Sequence, residues 1–337
     1  MESPEASIVF PNLGVAVMPA SPEQFMGIRA AEADSNVPII ASAPENVVFA
    51  LQEDPFGEEE WLTSEGEEDE TFASVIASPA GLSMEYLRGY SDAVQNLVGR
   101  VVAGEALVEL EEVIPAAFDE SQTTWGLQVT KAATSQFSGT GIKVAVLDTG
   151  MDLEHPDFAG RSITSRSFIE NEPVHDRHGH GTHCIGTACG PQRPSKLPRY
   201  GVAYTADTFA GKVLSNRGSG TDAQILGGIE WAIAHGCEVL SMSLGAPVLP
   251  GQRPNPVVEK VGQRALGQGT LIIAAAGNES GRPTRINPVG HPANCRSIMA
   301  VGALDERLQV ASFSNGERTR PGGEVNIAAP GRLTLNI

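Results

Sequence analysis

From about Trp125 onward, apolar positions fall into short unbroken runs separated by helical spacings. Ile142 to Leu147 is one such run, followed by Thr208 to Leu214, Glu238 to Ser243, Thr270 to Ala276, Ile298 to Val301 and Val325 to Ala329. Between them lie two stretches of helical period. One is capped by Thr221, carries Ile225, Leu226, Ile229, Ala232 and Ile233 on one face, and is stopped by Gly236; the other spans Pro256 to Leu266. Strands without polar alternation are buried on both faces, and alternation with helices of about a dozen residues predicts an α/β fold, a mostly parallel sheet with helices on both faces. The first fifty residues read differently. Two β-like runs, Ile8 to Met18 and Ile39 to Leu51, flank a helix opened by Ser21-Pro22-Glu23, a small β-α-β unit too short to be a stable enzyme alone. A stripe of Met84, Leu87, Tyr90, Val94, Leu97, Val98 and Val101 predicts helix over 83–113.

Charge supplies the boundaries. The 337 residues carry 23 Lys and Arg against 41 Asp and Glu, a formal charge of −18. Ten of the acids lie between Glu53 and Glu70 with no base among them, a density that repels itself and reads as a solvated linker. The expected organisation is therefore a β-α-β domain over 1–52, an acidic linker over 53–82, a helical connector over 83–120 and an α/β domain over 121–337. The acidic balance excludes a nucleic-acid binder, which needs a basic face. No apolar run approaches the roughly 18 residues a membrane span requires. Met1-Glu2-Ser3-Pro4-Glu5 has neither the basic nor the apolar part of a signal peptide. Four Cys do not make a disulfide scaffold.

In a parallel sheet, ligands gather at the carboxyl ends of the strands. There the sequence places Asp148-Thr149-Gly150 after the first strand, Ser243-Leu244-Gly245 after the third and Gly277-Asn278 after the fourth, while His178-Gly179-His180-Gly181-Thr182-His183 opens a helix. An acid, a histidine and an amide on one rim are parts of an acyl-transfer site. The acid orients an imidazole, the imidazole moves the proton, and the amide donates to the developing oxyanion. The crowd of His175, His178, His180, His183 and Cys184 also admits zinc, though zinc leaves Asp148 and Asn278 without a role. Cys184 and Cys189 would point to different faces of one helix, which argues against a disulfide between them.

In these segments the chain resembles the subtilisin-like serine proteases, the subtilases of peptidase family S8. Val144 to Gly150 is similar to the family's Asp motif, His180-Gly181-Thr182-His183 to its His motif, Ser241 to Gly245 to its substrate-binding strand, and Ala274 to Asn278 to its oxyanion segment. Ala311 to Asn315 and Ala328 to Gly331 are further landmarks. The likeness runs from about Trp125 to Gly331. It implies a serine endopeptidase in which Asp148 orients, His180 is the base and Asn278 is the oxyanion donor. A polypeptide substrate would add as an extra strand between Ser243-Leu244-Gly245 and the edge that includes Ser215 and Gly218. Ala275 and Gly277 would leave room for the side chain before the scissile bond. No organic cofactor is implied; calcium at Asp157 is the one metal the resemblance suggests, and the loop at Gly190 to Pro194 does not match the remainder of such a site. The 1–52 unit is placed like the family's propeptide, a folding aid and inhibitor, with its junction expected between Val113 and Thr124; the alternative is an unrelated docking domain. Family members with propeptides are mostly exported, but no signal peptide is visible, so the compartment stays unknown. One departure is large: the family's serine lies in a Gly-Thr-Ser turn beyond Ala-Ala-Pro-Gly, and no Gly-Thr-Ser occurs here. Two readings stay open, a protease truncated before its nucleophile and inactive alone, or a catalytically dead peptide-binding module.

Overall fold

The structure, a computed structural model, describes residues 7–33, 39–51, 118–316 and 322–331. The acidic linker and the stripe predicted over 83–113 lie outside the described residues. The described residues belong to one compact unit.

The central sheet has seven strands, all paired in parallel. They are β4 (Lys143–Asp148), β5 (Ile163–Ser167), β6 (Asp207–Lys212), β8 (Val239–Met242), β10 (Leu271–Ala275), β11 (Met299–Leu304) and β12 (Ile327–Pro330), in the order β12-β11-β10-β8-β4-β6-β5. Strand β4 shows why both faces are covered. Its Ala145 and Leu147 belong to the apolar cluster that includes Ile225, Ile229, Val258 and Val261, from helices α4 (Asp222–Ala234) and α5 (Pro256–Gly267). Its Val146, one residue between them, packs instead with Met151, Phe158 and Ile185, the last from helix α3 (His180–Cys189). Successive side chains of a strand point to opposite faces, so an unbroken apolar run needs a helix on each side.

The doubly covered parallel sheet is the fold the apolar runs predict. Strand β5 escaped them. Its sequence, Ile-Thr-Ser-Arg-Ser, alternates between half-buried and exposed positions at the sheet edge, so it carries no apolar run.

The N-terminal segment departs from the sequence reading in two ways. The run Ile8 to Met18 is not one strand but an antiparallel hairpin, β1 (Ile8–Phe10) and β2 (Val15–Val17), turned at Pro11-Asn12-Leu13-Gly14. Of the run Ile39 to Leu51 only β3 (Val47–Ala50) is strand. Helix α1 (Pro22–Glu32) starts as expected, at a Ser21–Gln24 capping box with Pro at its first position. Yet α1 buries no residue fully. Phe10, Leu13 and Val48 are buried, and all three join the same cluster as Ile225, Leu226 and Ile229. The hydrophobic stabilisation of this segment therefore comes from the α/β body. Polar contacts reinforce it: Glu230 of α4 accepts from the Asn12 and Leu13 backbone N–H groups at 2.9 and 3.0 Å.

Candidate active site

Asp148 is the last residue of β4, and β8 and β10 lie beside it in turn. Their carboxyl ends line up, so Ser243 and Gly277-Asn278 follow on the same sheet edge as Asp148. His180 is the first residue of α3 and reaches back to that edge. Its Nδ1 lies 2.7 Å from Asp148 Oδ1, and both side chains are buried. The Thr149 backbone N–H donates to the same Asp148 oxygen at 2.7 Å. Asp148 Oδ2 is buried with no hydrogen-bond partner among the described residues. Burial by itself would lower the His180 pKa, but the charge of Asp148 and the hydrogen bond to it outweigh burial and raise it.

Two groups that the sequence reading missed hold this pair. Asp176 collects five donors: its Oδ1 accepts from Thr149 Oγ1 and from the His178 and Gly179 N–H groups, its Oδ2 from the Thr182 N–H and hydroxyl. An acid at the N-terminus of α3 satisfies the helix's free N–H groups and ties them to Thr149, next to Asp148. Burial opposes its charge, but those hydrogen bonds prevail and lower its pKa. Its place four residues before His180 was the available signal. Lys212, fully buried, donates from Nζ to the Thr149 carbonyl and to Asn216 Oδ1, and pairs with Glu172 at 3.4 Å. Cys184, one turn along α3, has its sulfur 3.8 Å from His180 Nδ1. Burial pushes this thiol's pKa up.

Several of the substrate-binding candidates flank strand β3. Strand β3 pairs antiparallel with β7 (Ser219–Thr221) on one side and β9 (Leu244–Gly245) on the other. Leu244 is opposite Ala50 and Gly245 opposite Phe49; the Ser243 carbonyl accepts from Leu51 N–H at 3.0 Å. On the other edge the Gly218 carbonyl accepts from Ala50 N–H at 2.8 Å. Gly218 needs its φ of +80°, and a Cβ there would come within 2.8 Å of His178 Nε2. Ser215 is not part of this ladder. Its N–H and hydroxyl turn toward Ser219, so it shapes the loop behind the edge. Ala275 ends β10 and Gly277 follows two residues later with φ +110°; the Asn315 N–H donates to the Gly277 carbonyl at 3.0 Å.

The metal readings fare differently. Tyr200 Oη donates to Asp157 Oδ2 at 2.6 Å and the Ser195 N–H donates to Oδ1. Each oxygen of this carboxylate thus has a protein donor. Among the described residues, the group with metal-ligand spacing is Asp148, His180 and Cys184, and His175, His178 and His183 are not part of it. Cys184, Cys189, Cys237 and Cys295 are free thiols.

Comparisons with known proteins give the family. The model of the subtilase family, Peptidase S8, matches residues 139–337. The chain is 38% identical over 195 residues to Subtilisin E of Bacillus subtilis, covering 58% of this chain and 48% of that protein. It is 36% identical over 211 residues to Subtilisin DY of Bacillus licheniformis, covering 61% of this chain and 72% of the other. It is 40% identical over 216 residues to a thermostable alkaline protease of Halalkalibacterium halodurans, covering 63% and 54%. The chain belongs to the subtilase family, the serine proteases of family S8. It spans about half the length of the first of these relatives. Among the described residues no helix is long and apolar enough to cross a membrane.

Proposed function

We propose that this chain is the base-bearing part of a latent serine endopeptidase, held shut by its own N-terminal segment. The observation that carries the reading is the buried Asp148–His180 pair at 2.7 Å, whose outer nitrogen, Nε2, meets a peptide carbonyl lying in the cleft. Asp148 accepts from Nδ1–H, which fixes the tautomer; once the Leu51 carbonyl leaves Nε2, the neutral ring can take a proton there. Nε2 draws the proton from a serine hydroxyl as it attacks, and returns it to the departing amine. Asn278, just after β10, donates to the oxyanion; removing such an amide costs an enzyme about 10² to 10³ in kcat. No Gly-Thr-Ser occurs in these 337 residues, and the attacking serine is not assigned to one of them.

The rest of the reading follows from the cleft. The substrate is a polypeptide bound as an extra strand between β7 and β9, as β3 is now. No cofactor takes part. The N-terminal segment acts as propeptide and inhibitor: its β3 lies between β7 and β9, its Leu51 carbonyl meets His180, and its buried side chains join the core of the α/β body.

A fluorophosphonate probe, which labels an activated serine, tests this on the chain extended through its downstream sequence. Labelling that disappears in His180→Ala is the expected result. A folded, peptide-binding extended chain that takes no label leaves a catalytically dead peptide-binding module.

A further inference from the structure

Two bases are buried among the described residues, Arg199 and Lys212. Arg199 is accounted for by its own surroundings. Its guanidinium donates to the Gly201 and Val202 carbonyls at 3.1 and 3.4 Å and lies over the Tyr204 ring. Its carbonyl accepts from Thr124 N–H at 2.9 Å, just before helix α2 (Trp125–Val129). Lys212 is different. Its partners come from three separate stretches of chain, and two of those stretches belong to the site.

Lys212 ends β6 directly opposite Asp148, the last residue of β4. Its side chain is fully buried, and an ammonium has three N–H donors and no acceptor. It has three partners here. One is the Thr149 carbonyl, in the turn that leaves Asp148. The second is Asn216 Oδ1 at 3.0 Å, and the third is Glu172 Oε2 at 3.4 Å. Thr149 holds Asp148 through its N–H, at 2.7 Å from Oδ1, and is itself held at its carbonyl by Lys212. Asn216 is fixed by more than the ammonium. Arg177 N–H donates to its Oδ1 at 3.3 Å, and its own N–H donates to Glu172 Oε2 at 2.9 Å. It lies in the turn that Gly218 N–H closes onto the Ser215 carbonyl at 2.9 Å, and the Gly218 carbonyl accepts from Ala50 N–H of β3 at 2.8 Å. One buried cation thus bonds the turn carrying the acid to the turn carrying the strand edge. A buried charge cannot give up such partners cheaply, because no water stands ready to replace them.

We propose that Lys212 is a positioning residue for the Asp148–His180 pair, and that through Asn216 it makes the placement of the acid depend on the edge that pairs with a substrate strand. The inference rests on the endopeptidase reading above, which gives the pair its task. A strand bonded to Gly218 steadies the 215–218 turn. Asn216 then steadies the ammonium, the ammonium the Thr149 carbonyl, and Thr149 the carboxylate that orients the imidazole. Lys212 has two effects on His180, and their signs are opposite. As a positive charge beside Asp148 it opposes protonation of the ring. As a clamp it keeps in place the carboxylate that favours protonation. A residue that merely balances charge acts by the first effect alone.

The test uses the full 337-residue chain with its Lys212→Met and Asn216→Ala forms. NMR follows the His180 imidazole titration, hydrogen exchange follows the Ala50 amide, and urea unfolding shows whether each form folds. In Lys212→Met the titration is expected to move down toward 6.5 by at least about one pH unit. Asn216→Ala leaves the charge in place. It should move the titration the same way by less, and speed exchange at Ala50 about threefold or more. A folded Lys212→Met chain whose titration rises or stays put overturns the inference. If Lys212→Met does not fold, Asn216→Ala decides: a downward titration upholds the link, and a wild-type titration overturns it whatever happens at Ala50. None of these readouts involves the serine. Failed titration shifts beside a labelled extended chain therefore overturn the inference alone. Expected shifts beside an extended chain that takes no fluorophosphonate label overturn the endopeptidase reading, and the positioning role with it.

Discussion

The imidazole of His180 touches the backbone of Leu51, a residue 129 positions earlier in the chain, through the nitrogen that faces away from Asp148. One ring thus joins two requirements. Nδ1 is occupied by the acid beside it, and Nε2 faces the carbonyl of Leu51, the residue that follows β3.

That geometry sets the pH response. Because Asp148 overrides burial and raises the His180 pKa above its ordinary 6.5, the ring holds its proton further into the alkaline range. A base must be neutral to act, so kcat/KM of the complete enzyme rises with pH along a limb above 6.5. Asp148→Asn removes the cause, which moves the limb to lower pH and cuts kcat by a factor on the order of 10⁴ through the wrong tautomer. Stability has the opposite sign. A raised folded-state value contributes stability that is complete below the unfolded pKa and lost as pH rises through the folded one, so the wild-type advantage over Asp148→Asn shrinks in alkali. A pH–rate profile beside urea melts at several pH values checks both.

The hold on β3 is a second target. Asp222 sits at the start of α4, where it accepts from Asn46 through Oδ2 and meets His291 Nε2 at 2.9 Å through Oδ1. Asn46→Ala removes the side-chain amide but keeps the backbone donor. It should weaken docking by about 1 to 2 kcal/mol, since the lost bond is to a charged acceptor. Asp222→Ala should cost more, because it also leaves the buried His291 without its partner. Hydrogen exchange at the Ala50 and Leu51 amides reads the effect: faster in Asn46→Ala, faster still in Asp222→Ala. Unchanged protection in both variants would mean that the ladder of β7 and β9 alone secures the strand.

The sequence disclosed the sheet because its strands are buried on both faces, and an unbroken apolar run such as Val144 to Leu147 can be shielded from water only by a layer on each side. It put Asp148 and a run of histidines at element ends; His180 was singled out among them by the resemblance, and the structure brings its Nδ1 to 2.7 Å from Asp148. It did not disclose β3 as cleft-bound. Val47 to Ala50 looks like any short strand, and its partners lie some 170 to 200 residues away in sequence, in the Gly-rich pieces Ser219–Thr221 and Leu244–Gly245. Two residues of strand carry no periodicity. Asp176 and Lys212 stayed hidden for another reason: their roles are buried polar contacts with backbone atoms, which no hydropathy pattern records.

Asp176→Asn tests the first of these hidden supports. An amide can replace one carboxylate oxygen but turns donors toward groups that are themselves donors. With five donors converging on Asp176, at least one backbone N–H loses its partner. A loss of about 2 to 4 kcal/mol in urea unfolding is expected from leaving buried polar groups unpaired near a charge. Its pH dependence is distinctive. The folded-state pKa of Asp176 is lowered, so its contribution is present above the ordinary 3.8 and vanishes as pH falls through the folded value. Wild type and Asp176→Asn should therefore converge in acid and separate toward neutrality.

Gly181 is the tightest point between the two halves of the pair. It follows His180 in α3, and a Cβ on it would overlap the Gly150 carbonyl oxygen and lie 2.9 Å from Gly150 N and 3.1 Å from Thr149 N. All three are backbone atoms of the turn leaving β4, and none can swing aside as a side chain would. Gly181 N–H also donates to Thr149 Oγ1 at 2.8 Å, so helix and turn are drawn together by a bond and kept together by the missing side chain. Gly181→Ala gains helix propensity, worth about 1 kcal/mol in an open helix. Here the overlap dominates, since forcing atoms into a packed site costs about 1 to 3 kcal/mol and moves backbone. The movement separates α3 from β4 and so lengthens the 2.7 Å His180–Asp148 contact. The expected outcome is a variant that still folds, melts lower, and has lost the raised His180 pKa, seen as an imidazole NMR titration shifted toward 6.5. A variant with wild-type titration would show that the turn yields without disturbing the pair.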